Sequence, residues 1–227
     1  MAKYFSPELF TFLGDLAANN DRAWFAENKQ RYEDHVRQPA LDFITDMAER
    51  LDEVSPHFVA DARTVGGSLF RIHRDTRFAK DKTPYKTNTG IQFRHENAKD
   101  AHAPGFYLHL EPRNCFFGAG IWHPETKVAY RIREHIRDEP DAWLEATRSK
   151  AFAPTYTLEG DSLKRPPRGF DADHPLLRDL KRKDFIATAK VSHAEITGVQ
   201  LMDSFIGRCQ ATSPLVKELC AALDIAF

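Results

Sequence analysis

The sequence predicts a single α+β domain in which N- and C-terminal helices pack on a central antiparallel sheet. Apolar residues recur at helical spacing in the first quarter of the chain, alternate with polar residues in the middle, and return to helical spacing towards the end. Strands that follow one another closely in sequence usually pair, so the middle of the chain should form one sheet. The order helices, strands, helices favours α+β over a doubly wound sheet.

Length and composition indicate one globular domain spanning residues 1–227. A chain of 227 residues can bury one substantial core, and its 42% hydrophobic and 29% charged residues argue against a disordered or membrane-embedded chain. The N-terminus lacks the apolar stretch of a signal peptide, and no apolar run is long enough to cross a membrane. We therefore expect a cytoplasmic protein without membrane contact. The sequence does not indicate an oligomeric state.

Three helices are predicted in the first quarter of the chain. Ser6 is a favourable N-cap and Pro7 suits the first helical position, so the first helix should begin there. Residues 19–21 should end it and cap the second helix, and Pro39 should begin the third. Each segment has apolar residues three or four positions apart, so each should bury one face.

The middle of the chain alternates between apolar and polar residues, which is the period of a strand. The predicted strands are residues 68–73, 90–94, 106–111 and 115–120. The later predicted elements are helices after Pro124 and Pro140, a surface loop at 153–173 with a short strand at 156–158, a strand at 185–190 and a last helix from Ser213.

The sequence predicts no metal site and no cofactor. Cys115, Cys209 and Cys220 form no C-x-x-C pair and have apolar neighbours, so they should be reduced thiols in the core. No complete zinc motif, nucleophile elbow or known nucleotide-binding loop is present in the sequence.

One segment holds an excess of positive charge. It contains six cationic side chains and two carboxylates, namely Arg71, Arg74, Arg77, Lys80, Lys82 and Lys86 with Asp75 and Asp81. The net charge of the whole chain is −1, so this positive charge is local and more informative than a generally basic composition. We call residues 71–86 the basic loop, because they should leave the sheet near residue 73 and cross its end.

The basic loop contains a long sequence pattern. From Arg71 to Tyr85 it reads R-x-x-R-D-x-R-F-x-x-D-K-x-x-Y, which resembles the signature of an uncharacterised bacterial family, domain of unknown function 2461. Residues 19–25, 105–110 and 118–124 also resemble that family's pattern. The resemblance covers most of the chain. The family has no assigned function, so the resemblance implies no catalytic residue.

The first interpretation of the basic loop is an anion site. Arginine offers a planar fork for phosphate or carboxylate, lysine adds a point charge, and tyrosine stacks or donates a hydrogen bond. The candidate ligand-binding residues in the loop are Arg71, Arg74, Arg77, Lys82, Tyr85 and Lys86. Asp75 is a candidate general base, or it orients the arginines. The predicted ligand is a small anionic or phosphorylated molecule, and the sequence leaves open whether the protein is an enzyme.

The second interpretation is a structural ion-pair network. Asp75 and Asp81 would pair with arginine or lysine and fix a long loop, while the surplus cations remain in solvent. Two acids neutralise only part of six cations, although acids from elsewhere in the fold could supply the rest. The anion-site interpretation fails if every guanidinium of the loop is already held by a protein carboxylate.

A second candidate site involves the predicted sheet. Tyr107, His109 and Glu111 share one side of a strand, where His109 is a candidate acid or base. The alternative is a hydrogen-bonded histidine on a half-exposed sheet face. Tyr107 is a candidate ligand-binding residue, as is Trp122, which follows a glycine-rich turn just before a helix. A concave pocket that unites the basic loop with Tyr107, His109 and Trp122 would favour a ligand site.

A different class of function is a non-catalytic interaction module. Its basic loop would dock an acidic protein partner or nucleic acid, with Phe78 and Tyr85 available to stack on bases. The near-neutral net charge argues against a large phosphate footprint. A flat, open basic surface would favour this module over a ligand site.

Overall fold

The computed structural model describes residues 3–98 and 102–227. Met1, Ala2 and residues 99–101 lie outside this description, so the prediction made from the N-terminal sequence falls partly on residues outside it. The described residues form an α+β fold with one antiparallel sheet and helices packed against it, as the sequence predicts. No helix in these two ranges is long and apolar enough to cross a membrane.

Four helices precede the main strands, and the later helices alternate with the last strands. They are α1 (Pro7–Ala18), α2 (Arg22–Glu27), α3 (Lys29–Tyr32), α4 (Gln38–Ala48), α5 (Thr126–Asp138), α6 (Pro140–Arg148), α7 (Leu177–Leu180), α8 (His193–Ile196) and α9 (Leu201–Ala222). Pro7 begins α1 as predicted, and the Asp21 carboxylate caps α2 by accepting from the Trp24 N–H at 2.9 Å. A π-helical turn, Glu33–Arg37, joins α3 to α4 without a break.

The sheet has six strands in the order β1-β2-β3-β4-β6-β5. They are β1 (Phe58–Val59), β2 (Thr89–His95), β3 (Gly105–Leu110), β4 (Phe116–Ile121), β5 (Thr157–Glu159) and β6 (Phe185–Lys190). Strands β2, β3 and β4 pair in sequence order, which the short connections predict. Strand β6 then pairs with β4 and separates it from the short strand β5.

The inner face of the sheet packs on the helices. Phe205 of α9 lies at its centre, because its ring centroid is 5.5 Å from that of Phe43 in α4 and 5.4 Å from those of Phe93 in β2 and Phe117 in β4. Such edge-on aromatic contacts join both groups of helices to the sheet. The three cysteines are free and buried, as predicted.

The outer face of the sheet, opposite the helices, carries every second residue of each strand. Cross-strand pairing places Gln92, Tyr107, Gly118 and Thr188 in one row across the four central strands. The rows on either side contain His109 paired with Phe116, and Gly105 paired with Gly120. Aromatic side chains and glycines therefore share this face.

Two predicted boundaries are wrong. Residues 68–73 do not form a regular strand, because Leu69 and His73 make only isolated bridges, Leu69 to Ile91 in β2 and His73 to Tyr85. Within four residues the chain therefore changes its pairing partner from β2 to Tyr85. The last helix does not begin at Ser213, since Pro214 lies inside α9. Burial of the apolar face on both sides of Pro214 outweighs the hydrogen bond that the proline removes.

Candidate functional site

The basic loop is fixed at its base by backbone hydrogen bonds. The Lys86 N–H donates to the Ile72 carbonyl at 2.8 Å, and the Arg74 N–H donates to the Pro84 carbonyl at 2.9 Å. The amide of Asn20, which follows α1, accepts from the Tyr85 N–H and donates to the Tyr85 carbonyl, both at 3.0 Å. These contacts hold the two ends of the loop together and attach them to the first helices.

Two of the three arginines are held by the loop's own acids. Arg77 donates from Nε and a terminal nitrogen to both oxygens of Asp75, at 3.0 and 2.7 Å. Arg74 donates to Asp81 at 2.5 Å and to the Thr83 side chain. The hydrogen bond from Arg77 lowers the pKa of Asp75 to about 2, and hydrogen bonds from Thr83 and Arg74 lower the pKa of Asp81 to about 2. The structural interpretation therefore accounts for these two pairs.

The tip of the loop is exposed. Phe78 has 94% of its side chain in solvent, and the Lys82 ammonium donates to the Thr76 carbonyl at 2.9 Å. Within residues 3–98 and 102–227, the ammonium groups of Lys80 and Lys82 make no ion pair. Neither these side chains nor Asp75 line either of the two cavities described below.

Arg71 and Lys86 differ from the rest of the loop. In the described part of the chain neither side chain has a carboxylate partner, and Arg71 makes no side-chain hydrogen bond there. Both line a cavity of about 800 Å³ with Lys29, Arg37 and Arg94, and we call it the basic cavity. Burial lowers the pKa of the Lys86 ammonium, and the nearby Arg71 charge lowers it further. Two neighbouring cations thus face a cavity without a carboxylate of their own.

The other charges around the basic cavity do not remove this excess. Among the described residues that line it, the one acid is Glu33, which accepts from Arg37 at 2.9 Å. Arg94 donates to the Gly66 carbonyl, which carries no formal charge. The cations of this cavity therefore outnumber its acid.

A second cavity, of about 390 Å³, lies on the outer face of the sheet, and we call it the outer groove. Its floor contains Gly105, Gly118 and Gly120. Aromatic side chains form its sides, namely Phe70, Tyr107, Phe116 and Trp122. Phe70 lines both cavities, so the two cavities adjoin at this residue.

A hydrogen-bonded chain of three side chains lies at one end of the outer groove. The Tyr107 hydroxyl is 3.0 Å from Nδ1 of His109, and Nε2 of His109 is 3.4 Å from a carboxylate oxygen of Glu111. Burial lowers the pKa of His109, opposed by the hydrogen bond to Glu111, and burial raises the pKa of Tyr107. If His109 is neutral and donates from Nε2 to Glu111, its Nδ1 accepts a hydrogen bond from the Tyr107 hydroxyl. This arrangement can hold or move a proton at the tyrosine oxygen.

Gly90 makes room for this chain. A Cβ atom at position 90 would lie 2.5 Å from the Tyr107 hydroxyl oxygen, well inside van der Waals contact. The ring of Phe116 stacks on His109 with centroids 4.6 Å apart. The position of the Tyr107 hydroxyl therefore depends on groups from three adjacent strands.

Sequence reasoning missed a second histidine with a carboxylate partner. Asp184 is only 1% exposed and accepts from the backbone N–H and Nδ1 of His123, at 2.8 and 2.7 Å, and from the Asp161 N–H at 2.9 Å. Burial alone would raise the pKa of Asp184, but these N–H donors outweigh it and lower the pKa. The His123 ring stacks on Trp122. No local motif could predict this pair, because its members are 61 residues apart.

The structure separates the predicted residues into groups. Arg71 and Lys86 line the basic cavity, and Tyr107, His109 and Trp122 line the outer groove. Arg77, Lys82 and Asp75 are exposed, and Arg74 is half-buried. Tyr85 is buried and stacks on Phe25 with centroids 4.1 Å apart, so its ring belongs to the core. In the ranges that the structure describes, no three His, Cys, Asp or Glu side chains form a metal-binding cluster.

Comparison with protein-family models identifies the family of this chain. A search of curated proteins found no match. A family model described as "Conserved hypothetical protein (DUF2461)" matches residues 8–217. This match includes the basic loop, both cavities and the His123 and Asp184 pair, and it spans most of the 227 residues. The chain therefore belongs to the family of conserved hypothetical proteins DUF2461.

Proposed function

We propose that this protein binds a small anionic or phosphorylated ligand in the basic cavity. The observation that carries the proposal is the position of Arg71 and Lys86, which face one cavity without a carboxylate partner in the described part of the chain. A ligand phosphate or carboxylate would supply the missing charge, and an arginine fork beside a lysine suits either group. We also expect a cytoplasmic location.

Electrostatics favours an anion at this position. The charged form of Lys86 is disfavoured by burial and by Arg71, so a bound anion would stabilise it. Arg74 and Arg77 offer less, since each already donates to a carboxylate. The proposal therefore assigns the anion to Arg71 and Lys86, and assigns the loop's other cations to holding the loop and to long-range attraction.

The proposed chemistry involves Tyr107, His109 and Glu111. If the ligand is a substrate, His109 is the group that takes or gives a proton, through the Tyr107 hydroxyl that it contacts. Asp75 is a weaker choice for a general base, because a pKa of about 2 makes its carboxylate a poor proton acceptor and it lies outside both cavities.

A thermal-shift titration with inorganic phosphate and ribose 5-phosphate tests the binding proposal. Ligands that bind only the folded state raise its melting temperature. We expect the melting temperature of the wild type to rise with ligand concentration. Arg71→Gln and Lys86→Met should each lower the apparent affinity obtained from this titration at least tenfold. Lys80→Gln is the matched control, since it removes one charge from the same loop outside the cavity. An equal loss with Lys80→Gln, or no rise in the wild type, contradicts the proposal.

A second candidate function is an interaction module, and the exposed Phe78 favours it. An almost fully exposed aromatic ring beside Arg77, Lys80 and Lys82 suits docking to an acidic protein or stacking on a nucleic acid base. Gel retardation of single-stranded DNA and RNA at low salt tests the nucleic acid form, in which Phe78→Ala should abolish retardation. If the wild type retards neither DNA nor RNA, binding to nucleic acid is excluded.

A further inference from the structure

We infer that the outer groove binds a flat aromatic or heteroaromatic ring, so that the ligand class is a ring compound carrying a phosphate. The inference rests on the proposed function for the phosphate, which Arg71 and Lys86 would hold. It adds the part of the ligand that the basic cavity does not explain.

The floor of the groove has the shape that a flat ring needs. Gly105 and Gly120 pair across β3 and β4, and Gly118 is two residues from Gly120 on the same face. With no side chains at these positions, the sheet presents bare backbone. A planar molecule can lie against such a surface over its whole area.

Gly118 is the most informative of these glycines. A Cβ at Gly120 would lie 2.1 Å from the Phe185 carbonyl oxygen, and one at Gly105 would lie 2.7 Å from the Phe93 carbonyl oxygen, so the backbone itself requires glycine there. A Cβ at Gly118 would meet nothing closer than 3.7 Å, which is ordinary contact. The backbone gives no reason for glycine at position 118, whereas an open floor between Tyr107 and Thr188 does.

The sides of the groove match an aromatic guest. Phe70, Tyr107, Phe116 and Trp122 offer ring faces and edges, and Trp122 is 53% exposed although it lines the groove. Thr188 and the Tyr107 hydroxyl supply a few polar groups among mostly apolar ones, which is the usual make-up of a small-molecule site. A volume of about 390 Å³ suits a molecule of one or two rings.

The two cavities are close enough for one ligand to place a ring in the outer groove and a phosphate in the basic cavity. The Lys86 ammonium lies 5.4 Å from the centre of the Phe70 ring, and that ring lies 5.9 Å from the ring of Tyr107. A ring seated beside Phe70 and Tyr107 therefore lies close to the Lys86 ammonium, with the Phe70 ring as their common neighbour. A phosphate attached to it by a short linker would reach Lys86 and Arg71.

Ligand pairs that differ only in the ring test this inference. The probes are adenosine 5′-monophosphate and phenyl phosphate, each compared with ribose 5-phosphate, which carries a phosphate without an aromatic ring. We expect at least one ring-bearing phosphate to bind at least tenfold more tightly than ribose 5-phosphate, as measured by calorimetry. It should also quench tryptophan fluorescence, and Trp122→Phe should remove the quenching while binding persists.

Gly118→Val fills the floor of the groove and separates the two proposals. It should reduce the affinity for the ring-bearing phosphate to that for ribose 5-phosphate, and leave ribose 5-phosphate binding unchanged. Gly118→Ala, a smaller change, should give an intermediate loss, and circular dichroism checks that both variants fold. If ribose 5-phosphate binds as tightly as both ring compounds, the ring inference is wrong and the phosphate proposal stands. If no phosphate binds, both fail.

Discussion

The hydroxyl oxygen of Tyr107 lies 3.0 Å from Nδ1 of His109, two residues along the same strand. The other ring nitrogen, Nε2, is 3.4 Å from a Glu111 carboxylate oxygen, and Tyr107 and His109 both line the outer groove. Burial lowers the pKa of His109 although the ring has a hydrogen-bond partner at each nitrogen, since the contact with Glu111 only opposes that effect.

Burial of His109 should make stability depend on pH. Because burial lowers its pKa in the folded state, the unfolded state binds the proton more readily. This contribution to stability is fully present above the unfolded pKa of about 6.5 and is lost as the pH falls through it. Urea unfolding from about pH 5 to pH 8 should show this slope, and His109→Gln should reduce it. An unchanged slope would remove His109 as its source.

The Glu111 carboxylate opposes the effect of burial on His109. Because it favours the charged ring, Glu111→Gln should lower the pKa of His109 further. The histidine resonances in an NMR titration measure this directly. A rise in the His109 pKa in Glu111→Gln would contradict the described geometry.

The aromatic centre of the core should be sensitive to truncation. Phe205→Ala removes the ring that contacts Phe43, Phe93 and Phe117, and should cost about 3–5 kcal/mol in the free energy of unfolding. Phe78→Ala is the control, because it removes an equal side chain that is already in solvent and should change stability by less than about 0.5 kcal/mol. Urea denaturation measures both, and similar losses would place Phe78 in a packed environment.

Asp184 should be required for the turn that carries Trp122. Asp184→Asn places a side-chain NH₂ group, which cannot accept, among the N–H donors of His123 and Asp161. The substitution should therefore lower the free energy of unfolding by about 1–3 kcal/mol. Asp161→Asn is the control, because the exposed Asp161 side chain can change while its backbone N–H still donates. Equal stability of the two variants would show that the contacts to His123 contribute little.

The loop's ion pairs should matter for order more than for stability. Removing Arg74 takes away one of the hydrogen bonds that lower the pKa of Asp81, while those from Thr83 remain. The pair is partly exposed and adds little to the free energy of unfolding. Arg74→Gln should therefore leave the melting temperature nearly unchanged at neutral pH while increasing amide hydrogen exchange in residues 74–83. Unchanged exchange would mean that backbone contacts alone fix the loop.

Regular elements could be predicted because their signals are local. Alternation of apolar and polar residues identified β2, β3 and β4, and the strand predicted at 185–190 is β6 (Phe185–Lys190). Pro214 was misleading, since its local cost is outweighed by burial along the whole of α9. Local rules give the preference of a segment, and tertiary packing decides where that preference is overridden.

The candidate site was predictable in part. The excess of cations over acids was visible in the sequence, but nothing in it distinguishes Arg71 from Arg77, and only the loop conformation decides which arginine keeps Asp75. Tyr107 and Trp122, two of the candidate ligand-binding residues, both line the outer groove. Its glycine floor depends on which glycines become cross-strand neighbours, and that is a property of strand register.

The two hydrogen bonds between Asn20 and Tyr85 have a consequence for how the chain folds. The Asn20 side-chain amide binds the backbone N–H and carbonyl of a residue 65 positions away, so forming these bonds costs the entropy of closing a long loop. Contacts of such large sequence separation slow folding when they belong to the transition state. We expect the contact between Asn20 and Tyr85 to form late in folding. The basic loop should then be the last part of the molecule to fold, after the sheet to which it is attached.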